Sequence, residues 1–424
     1  MSTKNQTHLY KDLACPFCSL HCDDLEVRNS AGKLIVEKNA CSIATSQYEK
    51  PGILSTPMIF GEKTTLDKAL AKAASILKNS NQPLFTGSAS DVNGCRSLMA
   101  LADKSGAIVD HLHGDSMVSN LRILQNKGWI TTTLTEIKNR ADLLIFIGTD
   151  ASSRYPRFFE RLVWDQPSLA GLKKNKRHIT YIGDDLDIEQ GKNPNGNKPT
   201  LIKPNRESIN ETLSILRALL KGTKIEENLI DSQTLTRLRK LVDLIRAANY
   251  GVLIWDPAEF SSTDGELSVQ IISDLLRELN QKQRFAGLSL GGSDGGTTFN
   301  SVCTWQSGFP LRVNFSEKRP VHDMFAYSTK NLLNRAHVDS LLWLNNFDTS
   351  LSVPRTKIPR IMISRATRKI SENIDVYIPI ATPGLEHKGN LMRMDGVLSL
   401  PLRKLRESEH LSAAHILDKL RELA

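Results

Sequence analysis

Four cysteines stand within the first forty-one residues, Cys15, Cys18, Cys22 and Cys41, in the order C-x2-C-x3-C-x18-C, and the rest of the chain holds only Cys95 and Cys303. A cubane [4Fe-4S] cluster needs four converging thiolates, and a tight loop that supplies three with a distant fourth meets that need. Zinc prefers two separated knuckles, and His21 could stand in for the missing one. An emptied relic of either site is the third reading. Cys95 and Cys303 lie singly in ordinary segments and read as core thiols.

Three further stretches combine glycine with polar side chains directly after an apolar run, where open α/β sheets bind their ligands. Residues 148–157 follow Leu-Leu-Ile-Phe-Ile, and there Gly148, Asp150, Ser152, Ser153 and Arg154 could receive phosphate, with Arg157 adding charge. An ordinary turn with solvated arginines is the plain alternative. Residues 291–296, Gly-Gly-Ser-Asp-Gly-Gly, let Gly291 and Gly292 bring backbone close to a ligand, although the pattern is not G-x-G-x-x-G and a simple connection reads equally well. Residues 382–396 gather Glu386, His387, Lys388, Gly389, Asn390 and Arg393 in a short turn-rich segment, which favours binding.

The elements that must hold these loops alternate between short apolar runs and helical periodicity, the pattern of a helix-covered parallel sheet. Strands are expected at 83–86, 107–111, 143–148, 178–183, 251–255, 285–290, 340–344, 360–364 and 375–380. Helices are expected at 66–77, 94–104, 208–220, 235–248, 267–279 and 412–423. The Asn-, Gly- and Pro-rich stretch from Gly191 to Pro204 breaks every period and reads as a connection. The organisation expected is a Cys-rich region at 1–60, a first α/β lobe at 61–190, a linker at 191–205, a second lobe at 206–370, and a closing segment at 371–424.

With 424 residues and 40% apolar content the chain can fill two or three domain cores. The polar N-terminus is unlike a signal peptide, and no run approaches the roughly eighteen apolar residues of a membrane span. A cytoplasmic protein without a membrane partner is expected. The 55 basic and 46 acidic residues are scattered, with only short runs such as Lys173 to Lys176, so the net charge of +9 marks no nucleic-acid surface.

Residues 15–27, the fourth cysteine at 38–44, and the segments 147–158, 301–315 and 377–397 together resemble the B subunits of formylmethanofuran dehydrogenases, a branch of the molybdopterin oxidoreductase superfamily. The likeness runs over nearly the whole chain in order. It implies an iron-sulfur cluster near the N-terminus, a molybdenum- or tungsten-bispterin held by α/β lobes, and work within a multisubunit complex.

In the active branch a metal-ligating cysteine or selenocysteine directly precedes a histidine. Here the sequence is His111, Leu112, His113, Gly114, Asp115, so Leu112 stands where sulfur or selenium belongs, and an isobutyl group cannot coordinate a metal. The motif's proline is replaced by Asp115, and Ser-Ile-Ala-Thr-Ser-Gln after Cys41 lacks the usual glycine and lysine. These departures point to the bacterial branch, the formyltransferase/hydrolase complexes of methylotrophs. Such complexes move a formyl group from tetrahydromethanopterin to a methanofuran analogue and hydrolyse it to formate. The partners implied are an amidohydrolase-like subunit, a formyltransferase and a further structural subunit. On that reading the chain is a non-redox scaffold and any cluster braces the N-terminal loop. The other reading is a working dehydrogenase in which His113 moves a proton near the metal. A histidine at a strand end is also an ordinary packing residue.

Overall fold

The computed structural model describes residues 7–164, 168–173, 176–204, 208–226, 230–260, 265–367, 370 and 374–424. It is a mixed α/β protein in two compact units. One comprises Met1–Asp115 with Gly292–Ala424, and the other Ser116–Gly291.

The discontinuous unit is built on a nine-stranded sheet. Its centre runs Ile108–Val109, Pro83–Ala89, Ser340–Asn345, Arg360–Arg365 and Val376–Ile380, all parallel. Short antiparallel strands flank it, Val313–Asn314 and Val321–His322 on one side and Met58–Ile59 and Glu62–Lys63 on the other. The central strands are buried at nearly every position, which is why they read as unbroken apolar runs rather than alternations. Helices Leu66–Lys78, Val92–Ser105 and Ala413–Leu423 pack together over the sheet, each started by a side-chain cap from Thr65, Asp91 or Ser412. An antiparallel three-stranded sheet, Thr7–Leu13, Leu25–Ser30 and Lys33–Lys38, carries the cysteine loop. A hairpin, Gly389–Met392 with Ser399–Leu402, completes this unit.

The continuous unit holds a five-stranded, all-parallel sheet in the order Thr200–Ile202, His178–Ile182, Leu143–Ile147, Gly251–Trp255, Phe285–Ser289. In chain order this is 3-2-1-4-5, the doubly wound arrangement with its switch point between the 143–147 and 251–255 strands. Helices Ile209–Leu220, Ser232–Ala247 and Gly265–Leu279 contribute Leu213, Leu238, Ile245, Ile272 and Leu276 to one apolar core with Leu143, Ile145 and Leu253.

The strands expected from apolar runs are present, within a residue or two of their bounds except Pro83–Ala89, which runs three residues further than expected. The division into lobes is different. The expected linker 191–205 contributes the edge strand Thr200–Ile202, so strands from both expected lobes share one sheet. Strands that are distant in sequence meet because parallel pairing needs crossovers, and local composition cannot report which crossover returns to which sheet. The expected borders at 205/206 and 370/371 involve residues outside the described ones, as do Lys174 and Asn175 of the basic run.

Candidate functional site

Within the discontinuous unit the central parallel strands stand in the chain order 2-1-3-4-5, which puts a switch point between Pro83–Ala89 and Ser340–Asn345. The loops leaving the C-terminal ends of these strands hold most of the polar residues of interest. At the switch itself Ser90 Oγ donates to Asn346 Oδ1 at 2.8 Å, and Asn346 Nδ2 donates to the Ala381 carbonyl at 2.9 Å.

The His111–Asp115 segment follows the Ile108–Val109 strand on this edge. Leu112 packs against two apolar clusters, one containing Leu84, Trp343 and Tyr377 and the other Ala89, Phe347 and Leu391. Its neighbours are already committed. Asp110 and Arg312, both almost fully buried, pair at 3.1 Å, and Thr329 gives Asp110 Oδ2 two further bonds of 2.8 Å from its backbone N–H and hydroxyl. Arg312 also donates to Asp115 and to the Met324 carbonyl. Burial raises the Asp110 carboxyl even with that arginine beside it. Burial pushes His111 down to about 3, so its imidazole is neutral. His113 is tied to Asp294 of the glycine-rich segment, Nε2 to Oδ2, at 2.9 Å. The 291–296 stretch therefore supports the histidine pair through Asp294, a residue the sequence reading passed over. Gly291 and Gly292 both take positive φ, and they fall at the boundary between the two units.

The cysteine loop reaches the same strand ends. Phe17 lies beneath the Arg365 guanidinium at 5.6 Å, and the Met394 N–H donates to the Ser19 carbonyl at 3.0 Å. Cys15, Cys18 and Cys22 are buried and Cys41 is half-buried, with no disulfide among them. Burial, and after it the neighbouring thiols, Cys41 included, raise both Cys15 and Cys18, the latter to about 12. The donor set is therefore of the right kind for an iron-sulfur cluster and shares one neighbourhood. As placed, however, no group of three or more His, Cys, Asp or Glu side chains among the described residues is arranged to hold a metal ion. Cys41 has a local task, capping helix Ser42–Tyr48 by accepting from the Ala44 N–H at 3.4 Å. His21 folds its Nδ1 against the Cys15 carbonyl at 2.9 Å, and burial lowers it to about 4.

The 148–157 loop sits at the switch point of the other unit, where doubly wound sheets take nucleotides or cofactors. Its polar groups are spent within the protein. Asp150 accepts from the Ser153 N–H and hydroxyl, both at 2.8 Å, and from Ser152 Oγ at 3.4 Å. Arg154 reaches across the crevice to the buried Asp256 at 3.1 Å and to Glu259 at 3.4 Å, while Arg157 binds Glu160. Gly148 takes φ +67°, and a Cβ there would lie 2.8 Å from the Phe260 ring. The fit to a pterin phosphate is poor, because the serines and arginine that would receive it already hold carboxylates.

In the 382–396 loop Glu386 accepts from Arg406 at 2.7 and 3.1 Å and from the Thr382 N–H at 2.9 Å, which fixes the turn. Arg393 is held by Asp395, and Asn390 is exposed on the hairpin. His387 Nδ1 donates to the Lys388 carbonyl at 2.7 Å. Gly389 passes so close to Asp91 that an added Cβ would lie 2.6 Å from its Oδ2. Asp91 was missed by the sequence reading. It ends the apolar run Pro83–Ala89 in the way the other site loops follow theirs, a signal that was there to use.

No family model matches the chain. The B subunit of the tungsten-containing formylmethanofuran dehydrogenase 2 of Methanocaldococcus jannaschii is 25% identical over 415 residues, 93% of each protein. Its counterpart from Methanococcus maripaludis is 26% identical over 418 residues, 94% of each protein. The B subunit of the formyltransferase/hydrolase complex Fhc of Methylorubrum extorquens is 26% identical over 374 residues, 85% of this chain and 96% of that one. The chain is a homologue of these B subunits. In the crystal structure of the M. extorquens complex FhcABCD with methylofuran, one chain superposes with a TM-score of 0.73 at 25% identity, over 87% of this chain and 98% of that one. At that coverage the likeness spans both units. No helix among the described residues is long and apolar enough to cross a membrane.

Proposed function

We propose that this chain is the cytoplasmic B subunit of a hetero-oligomeric formyltransferase/hydrolase complex in one-carbon metabolism, a scaffold descended from a molybdopterin-type dehydrogenase. Formyl transfer and hydrolysis would belong to partner subunits. The observation that carries this reading is Leu112: where a sulfur or selenium ligand is required, an isobutyl group packs into apolar surface. The sealed crevice at Arg154 and Asp256 supports it, since a bispterin would need those side chains free. No step is routed through a metal here. If an iron-sulfur cluster is present, Cys15, Cys18, Cys22 and Cys41 would hold it, and its chemistry would be to cross-link the N-terminal loop.

The second reading, a working molybdenum or tungsten dehydrogenase, is favoured by the retained cysteines and by the two tungsten-enzyme relatives, which match over a longer stretch than the Fhc protein does. Elemental analysis and an ultraviolet-visible spectrum of the anaerobically purified native complex separate the two. We expect neither tungsten nor molybdenum; either metal in stoichiometric amount sinks the scaffold reading. Iron near four per chain without them would identify a structural cluster.

A further inference from the structure

A cleft of about 660 Å³ opens on the discontinuous unit, lined among others by Asp91, Arg96, His387, Lys388, Lys404 and Arg421. Helices Val92–Ser105 and Ala413–Leu423 and the loop residues 386–388 form much of its lining, and Asp91, two residues past the Pro83–Ala89 strand, brings it to one strand end of the switch point. Its volume is that of a small-molecule site. The scaffold function does not use it, and the inference stands whether or not that reading holds.

The charges in this cleft are unevenly satisfied. Glu386 is neutralised from behind by Arg406, Asp418 is paired with Arg421, and Lys404 with Glu407. Arg96 on helix Val92–Ser105 and Lys388 on the 382–388 loop have no acidic partner among the described residues, and both are exposed. His387 donates Nδ1–H to the Lys388 carbonyl, so its buried Nε2 carries the lone pair and offers an anion no donor. The first turn of helix Ala413–Leu423 also borders the cleft at Ala414, and first-turn N–H groups have no intrahelical acceptor. The remaining acid, Asp91, is buried, and burial raises its carboxyl toward the neutral, donating form. Donors from three separate elements thus face one polar space. A metal ion is a poor occupant, since no set of three ligands is arranged there among the described residues.

We infer that this cleft binds a small organic anion presenting two or more carboxylate or phosphate groups, gripped by Arg96 and Lys388 with the Ala413–Leu423 helix start. The two cations stand on different elements, so a single small oxyanion would satisfy only one of them.

Calorimetric titration of the full-length chain with citrate, pyrophosphate and acetate tests this. Saturable binding of citrate or pyrophosphate is expected, with acetate much weaker, and the tighter probe assigns carboxylate or phosphate. The double variant R96Q/K388Q should lose about tenfold in affinity, the scale of two charge-assisted contacts at a solvent-open site. The control K33Q/K63Q removes the same net charge from exposed positions outside the cleft and should bind as the parent does. Absence of saturable binding by either probe overturns the proposal. So does an unchanged R96Q/K388Q, or an equal loss in the control.

Discussion

The protein contains two topological switch points, and they have been treated differently. In the continuous unit the crevice between the 143–147 and 251–255 strands is closed from within: Arg154 bridges to Asp256, and Phe260 lies against Gly148. In the discontinuous unit the buried carboxylate at the corresponding place, Asp91, has no arginine or lysine ion pair among the described residues and borders an open cleft. The strand-order rule marks both places as ligand sites. Whether a ligand is received is decided by a few side chains, according to whether the protein supplies its own counter-charge.

The strongest way to break this contrast is at Asp110 and Arg312, which fix the Leu112 loop. D110A leaves the buried Arg312 with only the exposed Asp115 as counter-charge and takes the acceptor from the Thr329 N–H, so it should cost about 3–5 kcal/mol by urea unfolding. D110L/R312M, which replaces both, should recover much of that loss. If D110A costs less than about 1 kcal/mol, the network is not what holds the loop, and the region around Leu112 is freer than we describe.

Next in size is Gly148. A side chain there must adopt φ +67° and enter the space of Phe260, so G148A should lose about 1–3 kcal/mol. Combining it with F260A separates the two causes. If crowding dominates, the double variant loses less than the sum of the singles; if backbone strain dominates, the losses add.

Sealing by Arg154 is weaker. Its side chain is 36% exposed, so screening reduces the pair, but Asp256 is 1% exposed and would be left buried and unpaired. R154Q should therefore cost about 1–2 kcal/mol, whereas D256N, which leaves Arg154 without that carboxylate, should open the crevice to anions, which increased pyrophosphate binding would report. R154Q as stable as the parent, with no new anion binding by D256N, would show that the crevice is closed by packing around Gly148 alone.

The parallel strands were legible because burial on both faces writes them as continuous apolar runs, as at Leu143–Ile147 and Gly251–Trp255. That Leu112 cannot ligate a metal was legible because an isobutyl group carries no donor atom. The partition into units was not. Nothing in the residues around Thr200 says that this strand joins a sheet begun at Leu143, since the pairing is set by crossovers and helix packing. The counter-charges were also hidden. Arg154 looks the same in sequence whether it waits for a phosphate or already holds Asp256, 102 residues further on. Asp294 and Asp91 became visible only when strand ends distant in sequence were placed side by side.

The smallest expected effect tests the open switch point directly. Burial raises Asp91 above the ordinary carboxyl value of 3.8, so the folded chain holds this proton more tightly than the unfolded chain does. Below 3.8 the contribution to stability is fully present, and it is lost as pH rises through the folded value, because in that window the native state binds more protons. Asparagine at position 91 keeps the helix cap to Gly94 and cannot titrate. Unfolding of parent and D91N across about pH 4 to 7 should show the parent losing ground to the variant as pH rises. A saturating anion in the cleft, which favours the protonated acid, should shift that loss to higher pH. Parallel pH curves for the two proteins would mean that Asp91 is compensated after all, and the two switch points would then differ only in packing.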